Sequence, residues 1–210
     1  IENALNSNNV TVQTFSGYNI YSQGDGTITY NGGASRTLTL NSSGNIYFAY
    51  DNPTYPGGIS GTNLNLVLTA ATSVSIMSTL NVGGTVTANA TTSISQSSTS
   101  SIVANTLALG SSNGGTSKPA VTLTAASNYI ANLQASNVGA VSLTNSQALT
   151  VNSNGISASG ALSLTSNSDL LVAGGITTSS SLSLTARTIS LAANIATTGM
   201  QTYNGNVYVG

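Results

Sequence analysis

Val121-Thr-Leu-Thr-Ala125, Val141-Ser-Leu-Thr-Asn145, Leu162-Ser-Leu-Thr-Ser166 and Leu182-Ser-Leu-Thr-Ala186 are four versions of one five-residue unit. Their central leucines, Leu123, Leu143, Leu164 and Leu184, are separated by 20, 21 and 20 residues. Within each unit Leu or Val alternates with Ser or Thr, a period of 2 that puts the apolar set on one face of a strand and the hydroxyls on the other. Earlier copies extend the pattern: Val67-Leu-Thr-Ala70, and Ala71-Thr-Ser-Val-Ser-Ile76, which returns one period later as Thr91-Thr-Ser-Ile-Ser-Gln96. Other alternating runs, such as Ala148-Leu-Thr-Val-Asn152 and Thr188-Ile-Ser-Leu-Ala192, lie between the units, so each period holds two or three short strands.

Short strands, Gly-Gly and Asn-Gly corners and a period near 20 describe one coil of a solenoid. A globular β-sandwich also has short, regularly spaced strands, but it has no need for the same side chains at the same place in each period. A solenoid does, because each coil lies about 4.8 Å from the next and equivalent residues form ladders. The expected fold is therefore all-β: a right-handed parallel β-helix of about 20 residues per coil, roughly ten coils and about 50 Å long. Helix is disfavoured throughout, since β-branched residues, Ser, Asn and 22 glycines all weaken it.

The same ladder argument explains the composition. Only 3% of the 210 residues are charged, against about 25% in ordinary domains. Two like charges about 4.8 Å apart repel by roughly 0.9 kcal/mol in water, and a ladder repeats that cost at every coil. Ser, Thr and Asn ladders hydrogen-bond along the axis instead. A hydrophobic fraction of 40% supplies a core and excludes the usual disordered class. No apolar run approaches the ~18 residues of a membrane helix. Ile1-Glu2-Asn3 reads as repeat material, which predicts a piece of a longer chain with an open β edge at each end unless neighbouring sequence or another copy caps it.

The chain divides by decoration rather than by fold. Residues 1–62 carry eight of the eleven aromatic residues, on coils with a loop near 51–58, and 63–210 form the regular coils of the same continuous solenoid. Asp51-Asn-Pro-Thr-Tyr-Pro-Gly-Gly58 cannot continue a ladder, because its prolines lack donors. Gly110-Ser-Ser-Asn-Gly-Gly-Thr-Ser-Lys-Pro119 is expected to be a second loop. Tyr47, Tyr50 and Tyr55 flank Asp51 and Pro53, and together these five residues form a candidate surface for a glycan or protein partner, tyrosine being an amphipathic contact residue. The bland alternative is that the rings cover the flank of their own coil.

Chemistry is sparse. Histidine and cysteine are absent, which removes the usual general base, the thiolate nucleophile and most transition-metal sites. The carboxylates are Glu2, Asp25, Asp51 and Asp169, and Asp25 and Asp51 stand about one coil apart with Arg36 between them in sequence. Polysaccharide-cleaving β-helix enzymes need several acids converging on one groove, so these residues read as turn residues and no enzyme is expected. Asp25-Gly26 and Asp169 do not form a clustered calcium loop, so no metal or cofactor is expected. Arg36, Lys118 and Arg187 are the complete basic set and cannot neutralise a phosphate track, so nucleic acid is a poor partner.

Ile1-Glu-Asn-Ala-Leu-Asn-Ser-Asn-Asn-Val-Thr-Val12 followed by Thr37-Leu-Thr-Leu-Asn-Ser-Ser-Gly-Asn-Ile46, and Val141-Ser-Leu-Thr-Asn-Ser-Gln-Ala-Leu-Thr-Val151 followed by Gly160-Ala-Leu-Ser-Leu-Thr165, carry a resemblance. They resemble the repeat region of filamentous haemagglutinin-like, two-partner-secreted bacterial exoproteins. That resemblance implies a β-helix adhesin at the bacterial cell surface, with roles in adhesion, biofilm, sheath or filament formation. Neighbouring copies, or a longer parent chain, are then the expected end-to-end partners. The rival from a different class is a binding solenoid with a flat Thr-rich face, such as an ice-binding protein, for which Thr27-Ile-Thr29, Thr37-Leu-Thr39, Thr85-Val-Thr87 and Thr122-Leu-Thr124 supply the motif.

Overall fold

The computed structural model describes residues 1–22, 27–48 and 57–210. Its strands form one 22-stranded parallel sheet wound into a right-handed parallel β-helix. The winding is visible in a single column of paired residues: Val10, Leu38, Leu66, Val86, Leu107, Leu133, Val151, Val172, Leu191 and Val209. Ten residues in register mean ten coils. Nine steps of about 4.8 Å give a column about 43 Å long. Coil length along it is 28, 28, 20, 21, 26, 18, 21, 19 and 18 residues, so the period near 20 holds for six of the nine steps, and the first two steps and the one from Leu107 to Leu133 are longer.

Each early coil has three faces. Face A starts with Val10–Gln13, Arg36–Ser42, Leu64–Ala70 and Thr85–Ala90; face B with Ile20–Ser22, Ile46–Phe48, Ser73–Ile76 and Ser93–Gln96; face C with Ile28–Thr29, Ile59–Gly61 and Leu80–Val82. The sequence alternation becomes burial alternation directly: Leu64–Ala70 runs buried, half-buried, buried along its length. The expected internal column on face B is present. Leu123 pairs with Leu143, Leu143 with Leu164 and Leu164 with Leu184, and all four are at most 1% exposed. Burying a leucine contributes about 1.5–3 kcal/mol, so each column repeats a favourable term at every coil.

Polar groups also enter the interior, at the corners. Asn145 is fully buried, accepts the N–H of Ile130 at 2.8 Å and donates to the carbonyls of Ile130 and Gln147. Its position on the next coil is Ser166, whose hydroxyl donates to the carbonyls of Gln147 and Asp169. Asn128 and Gln96 exchange two amide hydrogen bonds, at 2.7 and 2.9 Å. These side chains satisfy backbone groups that the turning chain leaves unpaired, as burial requires. Among the described residues no buried side-chain N or O atom lacks a partner.

Two expectations are corrected. Ile1-Glu2-Asn3 is not ladder: Glu2–Leu5 form a helical turn at the N-terminal end. Leu5 is fully buried in the core cluster, and the Glu2 carboxylate accepts the N–H of Thr29 at 2.6 Å, while among the described residues Val10–Gln13 and Ile20–Ser22 pair on one side only and keep an open β edge. Arg36 holds the turn down by donating to the carbonyls of Leu5 and Ser7. The turn forms because Leu5 gains burial that a continued strand at a solenoid end lacks. Secondly, the second loop is present over 112–119, but Gly110 and Ser111 belong to the strand Ile102–Ser111 that precedes it. Residues 51–56 of the expected loop near 51–58 lie outside the described residues. No helix among the described residues is long and apolar enough to cross a membrane.

The cross-section changes at Leu149–Ala158. Leu133 pairs with Val151 and Ala135 with Ile156, offsets of 18 and 21 residues, so Asn152–Gly155 carry three extra residues as a bulge. The bulge is repeated above: Ala173–Gly175 and Ala192–Asn194 separate the same two ladders in the next coils. Glycine is required there. Gly155 has φ +69°, and a Cβ on Gly174 would lie 1.8 Å from the Asn152 carbonyl oxygen.

Candidate binding surfaces

Face B presents an unbroken outward lane. Tyr21, Tyr47, Ser75, Ser95, Thr122, Ser142, Ser163, Ser183 and Thr202 pair one above another. The lane is all hydroxyl and carries no charge. From Thr144 a second lane runs beside it through Thr165, Thr185 and Asn204. These lanes exist because the Ser-Leu-Thr unit buries its leucine and leaves its two flanking residues outside.

Tyr47 of the candidate partner surface stands at the N-terminal end of this lane. Its ring stacks on Tyr21, with centroids 5.3 Å apart and planes 11° from parallel. Tyr21 OH accepts a hydrogen bond from Asn19 at 2.8 Å. Phe15 and Tyr18 are strongly exposed on the same coil. Tyr50, Asp51, Pro53 and Tyr55 lie outside the described residues, as does Asp25. The stack joins two successive coils, and Phe15 and Tyr18 leave apolar surface at that end.

Among the described residues the ionisable groups are scattered. Glu2 belongs to the N-terminal turn. Asp169 pairs with Arg187 at 2.9 Å on the surface, and the Arg187 hydrogen bond holds its carboxyl below the ordinary carboxylate value. No group of three or more His, Cys, Asp or Glu is gathered among the described residues. The Thr-x-Thr motifs are dispersed: Thr29 lies on face C, Thr37-Leu-Thr39 and Thr85-Val-Thr87 on face A, and Thr122 on face B.

One concave site interrupts the flat faces. On face A, Thr87, Ala108 and Gln134 form one outward column, and Asn89, Gly110 and Ser136 the next. The middle coil therefore shows only a methyl group and a glycine between longer side chains. The result is a trench bounded by coils two steps apart, about 9.6 Å backbone to backbone. It holds about 210 Å³ and is overhung by Asn154 and Gly155 of the bulge. Gln134 Oε1 accepts from Asn152 Nδ2 at 2.9 Å and from Asn154 Nδ2 at 2.5 Å. Asn152 Oδ1 accepts the N–H of Asn154 at 3.0 Å, which locks the bulge.

Sequence reading passed over this trench. Its faint signal is Ala108-Leu-Gly110, where outward hydroxyls give way to small residues, together with the Asn-Gly step at Asn154. Comparison of the chain with protein-family models, curated proteins and solved structures finds no match in any of the three.

Proposed function

We propose that the chain is a non-enzymatic structural and adhesive β-solenoid segment of a secreted bacterial surface fibre. The observation that carries this reading is the ten-residue column, fully buried from Leu38 to Val172 and sheathed by uncharged ladders. Such a rod is stiff, because every coil is hydrogen-bonded to its neighbours, and its flat faces repeat a contact along the axis. The two described carboxylates, Glu2 and Asp169, stand apart in separate contacts, which favours a surface that binds over one that cleaves.

The resemblance to filamentous haemagglutinin-like exoproteins supports an extracellular location and a role in adhesion, biofilm or sheath. End-to-end association with neighbouring copies belongs to this reading, since among the described residues the strand Gln201–Val209 pairs on one side only. Immunogold electron microscopy of the native material tests the reading. Antibodies against this segment are expected to decorate thin rods or fibres outside the cell. Labelling confined to the cell interior, or to compact particles, would overturn it.

A further inference from the structure

The geometry points to the face A trench as a binding site for one uncharged sugar ring. This deepens the adhesive reading by naming a ligand class and a place.

Hydrogen-bond saturation is the first reason. Gln134 Oε1 already accepts two amide N–H groups, so the oxygen is spent and the Gln134 Nε2 group is left to donate. Asn154 commits one Nδ2 hydrogen to Gln134 and its backbone N–H to Asn152, which leaves its Oδ1 to accept and its second Nδ2 hydrogen to donate. Asn89 adds a third amide across the trench, and its Oδ1 leans over Gly110, where a Cβ would come within 2.6 Å of it. Oriented donors therefore face oriented acceptors over a floor formed by the Ala108 methyl. A pyranose matches this pattern: its hydroxyls both donate and accept, and its C–H face covers a methyl.

Electrostatics and size narrow the class. Neither cation nor carboxylate lines the trench, so a uronate or sulfate would lose hydration without a counter-charge. No aromatic ring lines it, which removes the stacking that holds nucleobases. A volume of about 210 Å³ is below the ~300 Å³ where sites for drug-sized ligands begin, so one ring enters and the rest of a glycan extends outside.

Two substitutions separate the site from the scaffold. Gln134→Glu keeps the carbonyl-type acceptor that anchors the bulge and removes the free donor. Ala108→Val raises the floor with a residue suited to strands. The experiment is a 15N-HSQC titration of the whole chain with methyl β-glucoside, methyl β-galactoside, methyl α-mannoside and N-acetylglucosamine, with glucuronate and a capped Gly-Ser-Gly peptide in parallel. At least one neutral sugar is expected to give saturable millimolar shifts at Ala108, Gln134 and Asn154. Both variants, with unchanged melting temperature, should weaken that binding at least tenfold, and glucuronate should bind more weakly than the neutral sugar. Absence of saturable shifts from all four sugars overturns the proposal, as does equal binding by glucuronate or by both variants. Trench shifts from the peptide alone also overturn it. Each of those results leaves the fibre reading untouched, because that reading stands or falls on where the native rods are seen. If a variant unfolds, the wild-type chain decides the point: saturable shifts clustered at Ala108, Gln134 and Asn154 support the site, and saturable shifts confined to other residues overturn it.

Discussion

Replacing Leu143 with alanine tests the internal column where it is most regular. Leu143 is 1% exposed and lies between Leu123 and Leu164 in unbroken register. Leucine-to-alanine changes in packed cores cost about 2.7–5.0 kcal/mol, the spread reflecting how far the cavity collapses. Here collapse is opposed by geometry. The coils above and below are held at a strand spacing of about 4.8 Å by parallel hydrogen bonds and cannot sink into the void. The expected cost is therefore in the upper part of the range, about 4 kcal/mol. Guanidinium unfolding gives the total, and native-state hydrogen exchange gives its location. Because each coil touches only its neighbours, protection should fall around 141–166 and persist in Leu64–Ala70. Thr150→Ala, on the outer surface, serves as the control and should stay within about 0.5 kcal/mol. A loss below about 1 kcal/mol for Leu143→Ala, or an equal loss of protection at remote coils, would refute the reasoning.

Gly174→Ala should lower the melting temperature sharply, at a cost of about 1–3 kcal/mol, because its Cβ would strike the Asn152 carbonyl and the Gly155 nitrogen, while Gly33→Ala, with nothing within 4 Å, should be nearly neutral. Equal shifts for the two would contradict the tight stacking of the bulge. Ser142 and Ser163 are paired on the outer lane, so the double change to aspartate should show a repulsive coupling of about 0.9 kcal/mol that shrinks with salt. A double-mutant cycle reads it, and an attractive or salt-independent coupling would count against the ladder argument. For Asp169, the folded carboxyl sits below its ordinary value of 3.8, chiefly through the Arg187 hydrogen bond. The pair's contribution is therefore present above pH 3.8 and lost as pH falls through the lower folded midpoint. Because the pair is exposed, NMR titration is the proper readout, and Arg187→Met should move the Asp169 midpoint upward; an unmoved midpoint would show that the ion pair is not its cause.

Much of the architecture was legible because the signal is repeated. Leu123, Leu143, Leu164 and Leu184 recur at a spacing that only stacked coils explain, and the structure places them in one column. Corner residues were harder. Asn128 and Asn145 are both fully buried and serve the backbone. Alternation puts Asn145 on the inward face with Val141 and Leu143, but nothing local marks Asn128, and what satisfies either side chain is an unpaired carbonyl or N–H brought to it from another part of the coil. The N-terminal turn was missed for a similar reason: Leu5 and Glu2 acquire their roles only against Thr29 and Arg36, some thirty residues away.

The sequence by itself determined the class of fold, the inward set of leucines and valines, and the uncharged outer lanes, because alternation and period act through immediate neighbours and repeat at each coil. Tertiary structure alone decided which face each strand occupies, that Ala108 and Gly110 lie between Thr87, Asn89, Gln134 and Ser136, and that Asn154 overhangs them. Those neighbours come from different coils. Their alignment depends on the register of each coil on the last, a quantity set by the sum of corner and bulge lengths rather than by any one stretch of chain.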